Sequence, residues 1–346
     1  MAWVRSASLD GQSARVTGSR RRELSTPFKE GASSLSDPGT SNALVELIEP
    51  AARLEELARG FGFVEGPLWH PDGFLLFTDI PGNAIHRWSA SDGVSVVRSP
   101  SSKANGLTFD HEGRLLACEH VASVITRTEL DGAIGVLVSH WEGKELNSPN
   151  DVVVADDGAV WFTDPHPAGR TAAWGSEREQ ELDFCGIYRF DPATASLSVV
   201  ADDFRFPNGL CFSPDGSVLY ANDTLGMTIT AFEVGASGAV GARRELIRQG
   251  AELQVIDGRM VSSDPDPTGF ELGFPDGMKC DERGNVWCTG PGGVWVISPD
   301  GERLGVIETP EMAANLAWGG QSGTTLFITA SSQLLRLETN VRGAAL

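Results

Sequence analysis

Apolar and polar residues alternate with period two over short stretches, and one such pattern recurs six times along the chain. Each copy is an apolar run, a Gly-containing turn and a second apolar run. The copies are E-G-P-L-W-H-P-D-G-F-L-L-F-T-D-I from Glu65, N-G-L-T-F-D-H-E-G-R-L-L-A-C-E-H from Asn105 and N-D-V-V-V-A-D-D-G-A-V-W-F-T-D-P from Asn150. Three more follow: N-G-L-C-F-S-P-D-G-S-V-L-Y-A-N-D from Asn208, D-G-M-K-C-D-E-R-G-N-V-W-C-T-G from Asp276 and N-L-A-W-G-G-Q-S-G-T-T-L-F-I-T-A from Asn315. Successive copies start 40, 45, 58, 68 and 39 residues apart, with further strand patterns such as A-I-H-R-W, V-I-T-R-T, G-I-Y-R-F and G-V-W-V-I between them. Four strands in roughly 40–50 residues is the period of a propeller blade. The pattern predicts an all-β chain folded as one six-bladed β-propeller over residues 45–346, with segments 45–62 and 331–340 sharing a blade so that the ring closes. A helical stripe is faint and confined to L-V-E-L-I-E-P-A-A-R-L-E-E-L-A, residues 44–58.

The first strand of a blade runs beside the central channel, so equivalent positions in successive blades sit at similar height around one axis. Here those positions are Glu65, Asn105, Asn150, Asn208, Asp276 and Asn315, each with a side-chain oxygen. Such a ring is costly without a partner, because buried polar groups need one and buried carboxylates repel. A hard cation on the axis supplies it, since Ca²⁺ accepts mixed Asn, Asp and Glu shells. The competing reading of any one Asn-Gly or Asp-Gly pair is ordinary turn chemistry; six registered copies favour the ring. The second strand returns antiparallel, so its last residues, read as Asp79, His120, Asp164, Asp223, Thr289 and Thr329, are expected at the same rim. His120, and His166 just beyond Asp164, are thereby placed near the site, although a lone histidine is as readily structural.

With 41% hydrophobic and 21% charged residues and no apolar run near 18 residues, composition points to a soluble globular chain that does not span a membrane. A formal charge of −20 argues against nucleic acid and anionic membrane partners, which clustered Lys and Arg would have to meet. Cations and neutral ligands remain. Cys118, Cys185, Cys211, Cys280 and Cys288 form no CxxC pair and fall mostly in apolar runs, so free thiols in a reducing, cytoplasmic setting are expected. Residues 1–44 are rich in Ser, Gly and Arg and are expected to be a disordered tail; the Arg20–Arg22 run leaves a transit peptide as the alternative.

V-E-G-P at 64–67, S-P-N-D at 148–151, P-N-G-L at 207–210 and P-D-G-M at 275–278, in this order within six units, resemble the SMP-30/gluconolactonase family of six-bladed propellers. The resemblance covers about residues 45–340 and implies a lactonase, often acting on sugar lactones, with one divalent metal in the central channel. It implies Glu65, Asn150, Asn208 and Asp276 as metal ligands. Ca²⁺ is favoured, with Zn²⁺, Mn²⁺, Mg²⁺ or Fe²⁺ as alternatives. L-N-S-P-N-D-V-V-V followed by W-F-T-D-P resembles the bacterial gluconolactonase branch, but that branch continues with Tyr-Gly where this chain has P-H-P-A-G-R at 165–170.

The expected reaction is therefore opening of a small-molecule lactone. The cation would polarise the carbonyl and Asp276 would act as general base on water, which carboxamides cannot do. Attack by Asp276 itself is the variant. Asn105 would hydrogen-bond substrate hydroxyls, with His120, Asp164 and His166 also on the substrate side. No G-x-S-x-G occurs, which disfavours a Ser-His-Asp hydrolase. Two rivals stand: a same-fold hydrolase of non-sugar lactones, esters or organophosphates, and a non-catalytic binding propeller with a structural metal. Trp141, Trp174 and the segment A-W-G-S-E-R-E-Q-E-L-D-F at 173–184 are candidates for a lid whose character would decide between apolar and sugar substrates.

Overall fold

The computed structural model describes residues 42–166, 171–256, 259–263 and 273–344. Within them the period-two runs form six four-stranded antiparallel sheets. Blade 1 is built in chain order from Val64–His70, Phe74–Asp79, Ala84–Ser89 and Gly93–Arg98. Blades 2, 3, 4 and 5 repeat that order, starting from the inner strands Ala104–Phe109, Val152–Val154, Pro207–Phe212 and Met278–Cys280. Each inner strand touches the inner strands of the blades before and after it, which makes a closed ring.

Blade 6 takes three strands from the end of the chain, Ala313–Gly319, Thr325–Ala330 and Gln333–Glu338, and its outermost from the start, Glu55–Arg59. Glu55 lies opposite Arg336 and Arg59 opposite Gln333, so the predicted closure is present. Radial repetition leaves each blade with only short edge strands. The fold is a six-bladed β-propeller.

Packing follows the same repeat. One apolar cluster fills each junction between neighbouring blades: Leu76 and Ile85 meet Leu107 and Ala117 between blades 1 and 2, and Trp161 meets Phe212 and Leu219 between blades 3 and 4. Cys211, Cys280 and Cys288 sit inside the cluster between blades 4 and 5, and all five cysteines are free thiols. The helix Asn42–Leu47 buries Leu44 and Leu47 against blades 5 and 6, with Ala43 packed beside them. Among the described residues no helix is long and apolar enough to cross a membrane.

The longer spacings have local causes. A two-stranded hairpin, His140–Trp141 with Lys144–Glu145, precedes blade 3; a second, Leu253–Ile256 with Arg259–Ser262, lies between blades 4 and 5. Within blade 3, residues 165–184 separate the second strand from the third.

The closing junction depends on Phe327 of blade 6, whose ring stacks on Trp69 of blade 1 at 5.3 Å and meets Trp88 at 5.6 Å. Phe327→Ala is expected to lower the unfolding free energy by about 3–5 kcal/mol in urea titrations. A loss below about 1 kcal/mol would show that this junction does not hold the ring.

Candidate active site

The six repeated oxygen-bearing residues stand at the channel end of their inner strands, and local backbone geometry sets them there. The register with the second strand breaks just after the repeated residue in blades 1, 2 and 4, between Glu65 and Leu68, within Ala104–Leu107 and within Pro207–Leu210. Bulges of this kind re-aim a side chain and tighten the twist. Glycine follows because the next blade comes too close for anything larger. A Cβ on Gly66 would lie 2.2 Å from the Asn105 carbonyl oxygen, and one on Gly209 would lie 2.1 Å from that of Asp276. The Asn-Gly and Asp-Gly pairs are thus inter-blade contacts rather than turns.

Side chains of the second strands of blades 1, 3 and 4 then tie the next blade down. Thr78 Oγ1 donates to the Asn105 carbonyl at 3.1 Å, Thr163 Oγ1 to that of Asn208 at 2.7 Å, and Asn222 Nδ2 to that of Asp276 at 2.5 Å. Asp276 is held from its own blade as well, its N–H donating to Thr289 Oγ1 at 3.1 Å. The backbone of the ring is pinned at successive blades.

The expected ligands are all buried: Glu65, Asn150, Asn208 and Asp276 are between 3 and 6% exposed. Burial raises the Asp276 carboxyl well above the usual carboxylate range, the Glu65 charge raises it further, and the Asn208 amide tempers the effect. Burial likewise pushes Glu65 up, to about 7, opposed by the Gly66 N–H and by Asn315, whose Nδ2 donates to Glu65 Oε2 at 2.8 Å. Asn150 holds the equivalent backbone position in blade 3, its N–H donating to the Thr163 carbonyl and its carbonyl accepting the Gly106 N–H, both at 2.8 Å.

Two residues break the pattern of glycines, Leu316 in blade 6 and Asp151 in blade 3. Asp151 stands in blade 3 where blades 1, 2, 4 and 5 have glycine, and it is 3% exposed. Its Oδ1 accepts the Val152 N–H at 2.9 Å, while Oδ2 has no hydrogen-bond partner among the described residues. Its charge acts on both Glu65 and Asp276, and that of Lys279 in blade 5 partly offsets it. Neither Asp151 nor Lys279 was singled out by the sequence reading. An acid in a register of glycines is the signal that could have found the first.

A hard cation suits this donor set. Glu65, Asp276 and Asn208 from three blades act on one another, Asn150 is buried at the equivalent position of a fourth, carboxyl groups are pushed toward protonation by burial and neighbouring charge, and a buried Asp151 oxygen lacks a partner among the described residues. Among the described residues no group of three or more His, Cys, Asp or Glu is placed to hold a metal, so any site here needs the carboxamides.

At the rim the strand ends differ by one position from the expected set. Glu65 pairs with Thr78, Ala104 with Glu119 and Asn315 with Thr329. Asp79, Glu119, Asp164 and Asp223 are therefore equivalents, and His120 matches Ile80 and Thr224. A one-residue shift turns a side chain to the other face. Asp164 is fully buried and turned to the loop before its blade: its two oxygens accept the N–H groups of Asn147 and Ser148 at 2.8 and 2.7 Å. Asp79 and Asp223 grip their own preceding loops in the same way. That geometry holds a loop, and it does not support the substrate contact expected of Asp164. His166 is half-buried, with its backbone N–H on Cys185 Sγ at 3.4 Å; of the loop 165–170, residues 167–170 lie outside those described.

Asn105 and His120 do meet. His120 is 2% exposed, its Nε2 lies 3.5 Å from Asn105 Nδ2, and its Nδ1 lies 3.0 Å from the Trp174 carbonyl. Burial lowers its pKa to about 4, a shift the Trp174 hydrogen bond opposes. Trp174 belongs to the 171–184 segment, which arches from blade 3 across the mouth. Its ring packs edge-on against Phe63 at 5.1 Å, in a cluster with Ile80, Met312 and Ala314. Trp141 instead packs in the core between blades 2 and 3, tilted against Tyr188 at 5.9 Å. The segment's contact with Phe63 is thus apolar, while its charged Arg178 pairs with Glu145 at 3.0 Å.

Comparison with known proteins agrees with this architecture. Residues 63–332 match the model of the SMP-30/Gluconolactonase/LRE-like region. A gluconolactonase of Zymomonas mobilis is 30% identical over 321 residues, covering 88% of this chain and 86% of the other. The solved structure of a gluconolactonase from Xanthomonas campestris superposes with a TM-score of 0.75 at 36% identity, covering 87% of this chain and 93% of the other. In fold alone, the chain is also similar to regucalcin, a calcium-binding protein of Agrobacterium tumefaciens, with a TM-score of 0.65 at 19% identity and coverage of 86% and 98%.

Asp164→Ala strands two buried N–H groups and is expected to cost about 2–5 kcal/mol of stability by urea unfolding. Stability within about 0.5 kcal/mol of the parent would contradict the loop-holding role.

Proposed function

The chain belongs to the SMP-30/gluconolactonase family and is an enzyme of the lactonase class, and on that premise we propose that it hydrolyses sugar lactones with the help of one divalent cation, Ca²⁺ being favoured. The observation that supports this most is the buried Asp276 carboxyl, raised by the Glu65 charge and bonded by the Asn208 amide; with Asn150, buried at the equivalent position of blade 3, these make an all-oxygen set suited to a hard cation. These four residues would hold the ion. When bound, it supplies Lewis acidity toward the lactone carbonyl and compensates the buried negative charge.

The residues divide the remaining work. Asp276 is assigned as the base: its carboxamide neighbours cannot take a proton from the attacking water, and a bound cation would offset the burial and the Glu65 charge that raise its carboxyl, leaving it ionised to do so. Its backbone is fixed by Asn222 and Thr289, which limits where the carboxylate can point. As water adds to the carbonyl carbon, the bond to the ring oxygen breaks, and the departing alkoxide recovers the proton from Asp276. Asn105 Oδ1, buried and without a partner among the described residues, is suited to accept a hydrogen bond from a substrate hydroxyl. Trp174 and Phe63 narrow the mouth and limit water.

The test is acid release from a panel of lactones by chelator-stripped and Ca²⁺-reloaded protein, with the variant Asp276→Asn alongside. The stripped protein is expected to be inactive and restored by metal, and Asp276→Asn to lose about 10²–10⁴ in kcat while keeping its fold by circular dichroism. Full activity after stripping would remove the metal from the reaction, and a normal rate in the variant would remove Asp276. Turnover of unsubstituted lactones or phosphotriesters alone would give the substrate to the rival hydrolase, and no turnover at all to a binding propeller.

A further inference from the structure

We propose that the 171–184 segment sets the orientation of the Asn105 carboxamide through His120, which makes His120 a positioning residue for substrate hydroxyls. The selectivity part of this inference rests on the sugar-lactone reading above; the link between segment and histidine does not.

The segment is latched to blade 2 by its own backbone. Lys103 Nζ donates to the carbonyls of Ala172 and Ala173, and His120 Nδ1 meets the carbonyl of Trp174, so three successive carbonyls face the same blade. Arg178 returns the contact, donating to the His120 carbonyl at 3.2 Å and to the Ser123 hydroxyl. A carbonyl is only an acceptor, so Nδ1 must carry the proton. Burial keeps the ring neutral. Nε2 is then a bare acceptor, and the group facing it on Asn105 must be the NH₂. The Asn105 oxygen is left pointing elsewhere, 95% of the residue being buried and that oxygen having no partner among the described residues. A substrate hydroxyl is a donor of the right kind.

Blade 4 shows the same device without a histidine. Thr224 occupies the position equivalent to His120, and its hydroxyl accepts the Asn208 Nδ2 at 3.0 Å while donating to the Pro275 carbonyl at 2.6 Å. In both blades a residue just past the second strand takes the NH₂ of the blade's ring carboxamide and is itself fixed by a backbone carbonyl from elsewhere. In blade 4 that carbonyl belongs to the next blade; in blade 2 it belongs to the lid. Undocking the lid therefore releases the His120 tautomer, and with it the Asn105 oxygen.

Two readouts test this. Long-range ¹⁵N correlation spectra, with the His120 signal identified by its absence in His120→Gln, are expected to show the Nδ1–H tautomer in the wild type. In the double variant Lys103→Ala/Trp174→Ala, which keeps His120 but weakens the latch, the signal is expected to shift toward the Nε2–H form or average between the two. The ratio of kcat/KM for glucono-δ-lactone over δ-valerolactone, which lacks hydroxyls, is expected to fall about tenfold to a hundredfold in the double variant and in His120→Leu, mainly through KM. An Nε2–H tautomer in the wild type, a signal unmoved in the double variant, or an unchanged ratio would overturn the proposal. Should the wild type open neither lactone, the sugar-lactone reading fails, while the tautomer spectra still decide the relay.

Discussion

The centre of this molecule is governed by acid that is buried and brought together. Glu65, Asp151 and Asp276 come from three blades and are each at most 5% exposed, in a chain that already carries a formal charge of −20. Carboxylates brought together under those conditions repel, and burial makes each charge more costly. Lys279 offsets part of the cost and Asn315 bonds one oxygen of Glu65, yet Glu65 and Asp276 are still pushed toward protonation. A hard divalent cation would relieve that repulsion, and the same ion would equip the site to polarise a carbonyl.

The fold makes such crowding bearable by fixing the backbone first. Hydroxyls and an amide of the second strands bind the carbonyls of the neighbouring ring residues, glycine lets adjacent inner strands approach, and apolar clusters fill every junction between blades. The ring residues are therefore presented on or just before the inner strands, Asn150 and Asp276 standing two residues ahead of theirs. At the mouth the chain is more individual: the Trp174 segment makes an apolar contact with Phe63 while its carbonyls reach down to Lys103 and His120. A fixed centre and an individual rim are what a hydrolase needs if one chemistry is to serve a chosen substrate.

The repeat, the closure of the ring and the identity of its six oxygen-bearing positions were legible because each is a local, period-two signal repeated in register. Asp164 was misplaced because its side chain and that of Thr163 differ by one residue along a strand, and sequence alone does not say which of the two faces the axis. Asp151 was overlooked although it replaces a glycine, since the need for glycine at that point appears only when the next blade is seen 2–3 Å from where a Cβ would be. The contact between Trp174 and His120 spans 54 residues and depends on how an irregular segment docks, which no hydrophobic period records.

The most direct measurement is an anomalous-difference map from crystals of the chelator-stripped protein grown with a single added divalent metal such as Mn²⁺. One peak on the propeller axis, within about 2.6 Å of oxygens from Glu65, Asn150, Asn208 and Asp276, is the predicted result. A map with no axial peak, or with the ion bound away from these four side chains, would contradict it.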